Sequence, residues 1–97
     1  MVLEVATIRV VPGQEDAFLT AYRGVRHLVT STQGFRSIRM SRGVESPSTF
    51  VMLIEWTSTR AHLQNFRGDE ERFTAWRAAI GPHFAQEPHV EHFEYVI

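Results

Sequence analysis

Residues 2–11 read VLEVATIRVV, a run rich in β-branched side chains that stops at the turn pair Pro12 and Gly13. That pattern predicts a first strand. From Gln14 onward the period changes: Phe18, Ala21, Tyr22, Val25, Leu28 and Val29 recur every three or four positions, with Glu15, Asp16, Arg23 and Arg26 between them. This is the spacing of an amphipathic helix of about five turns. Glu15 and Asp16 stand in its first turn, against the positive end of the helix dipole. After Gly34, FRSIRMSR alternates apolar and polar positions up to Gly43, VESPS supplies a turn, and TFVMLIEW is a second and greasier strand. Together they predict a hairpin.

Beyond Trp56, Thr57 or Ser58 can cap a helix that runs to about Phe66, is interrupted at Gly68, and resumes from about Asp69 to Gly81 and Pro82. The closing HVEHFEYVI, residues 89–97, alternates again and predicts a fourth strand. The order βαββαβ implies an α+β, ferredoxin-like antiparallel sheet with both helices on one face. One feature of TFVMLIEW bears on assembly. Phe50, Met52, Ile54 and Trp56 make one face apolar, and Val51 and Leu53 do the same on the other. Two helices shield one side only, so the same face of a second chain is the expected cover, giving a homodimer by sheet-on-sheet packing.

The chain has 97 residues, which suits a single domain spanning 1–97. No apolar run approaches the roughly 18 residues of a membrane span, and the N-terminus lacks the charged start and apolar stretch of a secretory signal, so a cytoplasmic location without a membrane partner is expected. The ten basic residues are all arginine, scattered from Arg9 to Arg77, and the formal net charge is −1; nucleic acid is not an expected partner. The absence of lysine removes Schiff-base chemistry, and the absence of cysteine removes disulfides, thiol nucleophiles and Cys-ligated metals. Phosphate-cradling glycine motifs are missing as well.

The remaining chemistry sits in the second helical region. Thr59, His62, Leu63 and Phe66 share one face, and Phe73, Trp76, Arg77 and Ile80 repeat it. His62 is either a satisfied core histidine or a catalytic one. An inward Arg77 needs a carboxylate such as Glu55 or Glu94, or an anionic ligand, unless it reaches out to solvent. With the aromatic side chains nearby, these two residues would furnish an apolar pocket with a few convergent polar groups. Asn65 can orient a ligand carbonyl or act as a surface or capping amide. The cluster His83, Glu87, His89, Glu91 and His92 has metal-ligand types, but on a strand His89 and His92 point to opposite faces, so no metal site is expected.

The order βαββαβ, the GF that opens the second strand, IEWTSTRAHLQNF followed by RFTAW, and the closing EPHVEHFEYV resemble the antibiotic biosynthesis monooxygenase family of the dimeric α/β-barrel superfamily. The resemblance covers nearly the whole chain. It implies a barrel-forming dimer. In members that oxidise polyketide anthrones without metal or flavin, it implies a tryptophan, an aromatic hydroxyl, an arginine and an asparagine around the substrate. Trp56 matches the tryptophan, His62 falls at the hydroxyl position, and Arg77 matches the arginine if one insertion is allowed. Met52 stands where the asparagine would be. The related haem-degrading branch uses an asparagine, a tryptophan and an axial histidine, and Ala6 or Thr7, Asn65 and Arg77 occupy those positions.

The expected function is therefore a cofactor-independent monooxygenase acting with O2 on a small electron-rich aromatic, a phenol, quinol or anthrone. His62 would accept or share the proton, Arg77 would stabilise the oxyanion, and Trp56, Phe66, Phe73 and Trp76 would clasp the ring, with Met52 and Asn65 also against the substrate. A non-catalytic ligand-binding barrel and a haem-degrading protein are the alternatives.

Overall fold

The computed structural model describes residues 1–97. Four strands, β1 (Val2–Arg9), β2 (Phe35–Arg42), β3 (Thr49–Trp56) and β4 (His89–Phe93), form one antiparallel sheet in the order β2-β3-β1-β4. Helices α1 (Glu15–Thr30) and α2 (Glu70–Ile80) lie between them in sequence, completing the ferredoxin-like α+β plan. No helix is long and apolar enough to cross a membrane.

Alternation decides which side of the sheet is covered. Val2, Glu4, Ala6 and Ile8 of β1 are buried, as are Phe50, Met52, Ile54 and Trp56 of β3, while the intervening Leu3, Val5, Val51 and Leu53 are only half-buried. The covered face meets Phe18, Tyr22 and Val29 of α1 and Trp76 and Ile80 of α2 in a single apolar core. The opposite face carries an apolar stripe over its two central strands with nothing above it.

The segment between β3 and α2 holds the site and departs from a plain helix. Ser58 Oγ accepts from the Ala61 amide (3.1 Å), so of the two expected caps Ser58 is the one used. A π-helical turn, Ala61–Phe66, follows, with the Arg67 amide donating to the His62 carbonyl (2.9 Å). Widening by one residue per turn brings Ala61, His62 and Phe66 together on the buried side. The chain breaks at Gly68, and Asp69 caps α2 by accepting from the Arg72 amide (3.1 Å).

Gly34 anchors this segment from the other side. Its φ is +95°, and a Cβ there would lie 2.5 Å from the Ala61 Cβ. Only glycine provides both the left-handed backbone and the close approach. Thr57 donates its amide to the Gly34 carbonyl (2.8 Å), tying the start of the π turn to the start of β2. The fourth strand is shorter than its alternation suggests: it ends at Phe93, and residues 94–97 are exposed and unpaired in the sheet.

Candidate functional site

A cavity of about 270 Å³ lies between the covered face of the sheet and the π turn with α2. Ten of its sixteen lining residues are hydrophobic, so the few polar groups in its wall stand out. Met52, Phe66, Phe73 and Trp76 line it, together with His62 and Arg77. Six of the eight residues expected at a site are thus brought together. Edge-to-face contacts of Phe66 with Phe73 and Trp76 (both 5.7 Å between centroids) make an aromatic wall opposite the sheet.

Two of the expected residues are placed elsewhere. Trp56 is fully buried behind His62, its ring nearly parallel to the imidazole at 5.5 Å, and it does not reach the cavity. At the end of β3 it is boxed in by Phe35 and Phe66, and its indole N–H is already committed to Glu4 Oε1 (2.9 Å). Asn65 is exposed on the outer side of the π turn, where its amide donates to the Gln33 carbonyl (2.9 Å). The buried side of that turn belongs to Ala61, His62 and Phe66, which leaves Asn65 no route inward. The carboxylate partner of Arg77 also differs from expectation. It is Glu87, gripped through both guanidinium nitrogens at 2.9 to 3.2 Å. Glu55 instead accepts from Ser37 (2.6 Å) and Tyr95 (3.3 Å).

Glu4 and His62 meet in the cavity wall, with His92 behind them and outside the lining, a grouping that no local pattern announces. Glu4 lies on the buried stripe of β1 at 4% exposure, and His92 lies opposite it in the β1–β4 register. His62, 3% exposed, comes down from the π turn between them. Its Nε2 is 3.4 Å from Glu4 Oε1 and its Nδ1 is 2.8 Å from His92 Nε2. Burial pushes the Glu4 carboxyl up to about 7, against the opposing pull of the Trp56 N–H and the Arg67 charge. Burial likewise drives His62 down to about 3, helped by the neighbouring His92 and Arg67. The low-dielectric environment penalises both charged forms, so near neutral pH His62 is neutral and Glu4 is poised to gain or lose a proton.

Arg67 and Arg77 also line the cavity, the first over the Phe73 ring at 4.9 Å and the second over Phe84 at 5.5 Å. Arg77 is held by Glu87, whose carboxyl that contact keeps below the usual range, whereas Arg67 makes no ion pair within the chain. The site therefore combines a buried proton-holding pair, an aromatic slot and two arginines in its lining. Glu4 is absent from the residues expected at the site, although the period of two from Val2 to Ile8 does place it on the buried stripe. His92 has the same parity signal beside Val90; its pairing with His62 has no local signal.

Comparison with known proteins agrees with this architecture. A Bordetella bronchiseptica structure, assigned to the antibiotic biosynthesis monooxygenases, superposes with a TM-score of 0.93 at 29% identity, covering 99% of this chain and 97% of that one. SnoaB from Streptomyces nogalater, a cofactor-independent oxygenase, shares the fold at a TM-score of 0.82 and 16% identity, over 97% of this chain and 91% of its own. In sequence, the uncharacterised protein YczJ of Bacillus subtilis is 29% identical over 99% of this chain and 100% of its own length. The family model for antibiotic biosynthesis monooxygenase matches residues 1–94, and with nearly every residue of the fold and of the cavity wall inside that match, the chain belongs to the antibiotic biosynthesis monooxygenase family.

Proposed function

We propose that this protein is a cofactor-independent monooxygenase that uses O2 to oxidise a small electron-rich aromatic, with an anthrone-like or quinol-like ring as the substrate class. The observation that carries the reading is the Glu4–His62 pair, buried in the wall of an apolar slot that Arg67 and Arg77 also line. The chemistry needed from such a protein is small. Removing a proton from an activated ring makes an anion able to give an electron to O2, and one oxygen atom then ends on a ring carbon while the other leaves as water. In an anthrone all four electrons come from the activated CH2; in a quinol two come from a ring C–H that becomes C–OH, the site of the inserted oxygen, and two from oxidation of the quinol to the quinone.

Glu4 and His62 act as one base. With the carboxyl near 7 and the imidazole neutral, the pair takes up a single proton close to neutral pH, the condition for efficient general-base catalysis. Arg67, which has no ion-pair partner in the chain, faces the developing oxyanion with Arg77 beside it, and the apolar lining of the slot strengthens that interaction. Phe66, Phe73 and Trp76 hold the ring, while Trp56 keeps the imidazole in plane from behind rather than touching substrate. A cavity of roughly 150 Å³ holds benzene, so about 270 Å³ suits two or three fused rings. The uncovered apolar face of the sheet supports a homodimer built across it, with the cavities on the far side of each sheet.

Oxygen uptake by purified, metal-free protein across a panel of anthrones and quinols tests the reading. His62→Ala is expected to lower turnover about a hundredfold, the low end for loss of a positioned proton-transfer group. A folded His62→Ala protein with full turnover overturns it, as does a wild-type protein that consumes no oxygen with any member of the panel.

A further inference from the structure

A base buried under an aromatic slot needs somewhere to send its proton. The Nε2 edge of His62 belongs to the cavity and to Glu4, so only Nδ1 can lead away, and it meets His92 Nε2 at 2.8 Å. His92 does not line the cavity. It sits half-buried on edge strand β4, and its second ring nitrogen has no protein partner. Since no buried side-chain nitrogen or oxygen lacks a hydrogen bond, that Nδ1 reaches solvent.

We propose that His62 and His92 form a proton path joining the cavity to bulk water, with His92 as its outlet. A proton bound at His62 Nε2 forms one N–H bond there. The Nδ1–H bond of His62 breaks as an N–H forms on His92 Nε2, and the Nδ1–H of His92 passes to water. One proton enters, one leaves, and no electrons move. The same contacts run in reverse when a proton is needed to complete the departing water, which restores both tautomers. Stacking against Trp56 holds the His62 ring in register with both neighbours.

The charged groups around the path suit a transient imidazolium. Glu4 from β1 faces it at 3.4 Å. Arg67 beyond the π turn opposes it, so the charge does not rest there. Arg77 of α2 and Glu87 before β4, also in the cavity lining, pair with each other. His92 acts through His62 and touches no substrate. The path deepens the proposed activity and rests on that reading for its role in turnover, but not for its existence.

Two measurements on the resting protein, without substrate, test the path itself. In wild type, 15N NMR is expected to show scalar coupling across the hydrogen bond between His62 Nδ1 and His92 Nε2. In His92→Gln, exchange of the His62 ring proton with water is expected to slow about tenfold or more. Turnover supplies the third arm: His92→Gln should fall roughly tenfold in dilute buffer, less than loss of the base itself. Added imidazole should restore it with KM unchanged, which a purely structural role of His92 does not predict. Absent coupling in wild type, or unchanged exchange in the variant, overturns the path; so does undiminished turnover in the variant without dependence on buffer. If exchange slows while wild type oxidises nothing, the path stands and the monooxygenase reading alone fails. Should His92→Gln not fold, the wild-type coupling still decides.

Discussion

Glu4→Gln isolates the energetic consequence of placing a carboxyl under the slot. The amide keeps the shape and still accepts from the Trp56 indole, but it cannot ionise. In the wild type, burial raises the Glu4 pKa from 4.5 to about 7. Its contribution to stability is therefore fully present below pH 4.5 and is lost as pH rises through 7, because the unfolded chain ionises first. At about 1.4 kcal/mol per pH unit, that interval corresponds to about 3 kcal/mol. The lowered pKa of His62 acts in the opposite sense, its stability being lost as pH falls from 6.5 towards 3, and it is common to both proteins. Glu4→Gln should thus match the wild type near pH 4.5 and exceed it by about 3 kcal/mol at pH 8. With an m-value of about 1 to 1.5 kcal/mol/M, the urea midpoints should separate by roughly 2 to 3 M. Protein concentration is held constant, because self-association of the proposed kind makes the midpoint depend on it. A midpoint difference that does not change between pH 4.5 and pH 8 refutes the reasoning and places Glu4 in contact with water.

Trp56→Phe removes the donor that lowers the Glu4 pKa; it should cost about 1–3 kcal/mol in denaturant and move the rise of the pH–rate profile above pH 7, and an unmoved profile argues that Glu4 is not part of the base. Gly34→Ala drives a Cβ to within 2.5 Å of the Ala61 Cβ at a φ of +95°, so a loss of about 1–3 kcal/mol or more is expected on thermal or urea unfolding; a neutral result means that β2 and the π turn are less tightly joined than described. Leu53→Asp puts a charge in the uncovered stripe of the sheet and should dissociate the proposed dimer in analytical ultracentrifugation, whereas a wild type that already sediments as a monomer, or an unchanged sedimentation coefficient, argues against a dimer across this face.

Where local physics dominates, the residues announce their structure in advance. Pro12 and Gly13 end β1, Ser58 and Asp69 supply caps, and Gly68 breaks the second helical region, each through a backbone preference that acts within a few positions. His62, Phe66, Phe73, Trp76 and Arg77 reach one cavity because helical spacing already put them on the inward face. The same reasoning fails for Thr59 and Leu63, which are exposed, since a π turn rotates the residues differently from the 100° step of an α-helix, and for Trp56, whose inward direction was legible but whose distance from the cavity was not; of the two readings of Asn65 the structure takes the surface amide. The overlong fourth strand reflects a pattern that continues past the last residue with a partner in β1.

By itself, then, the sequence determined the βαββαβ order, the apolar stripes of the strands and the burial of an imidazole, because each follows from period, turn chemistry or propensity along a short stretch. Only the tertiary structure decided that Glu4, His62 and His92, from two strands and a turn, lie in one line, the two imidazoles hydrogen-bonded and His62 3.4 Å from Glu4, and that Glu87 rather than Glu55 or Glu94 holds Arg77. Strand register and the packing of the turn onto the sheet are set by the whole core at once, and a shift of one residue along β4 would turn His92 to the other face.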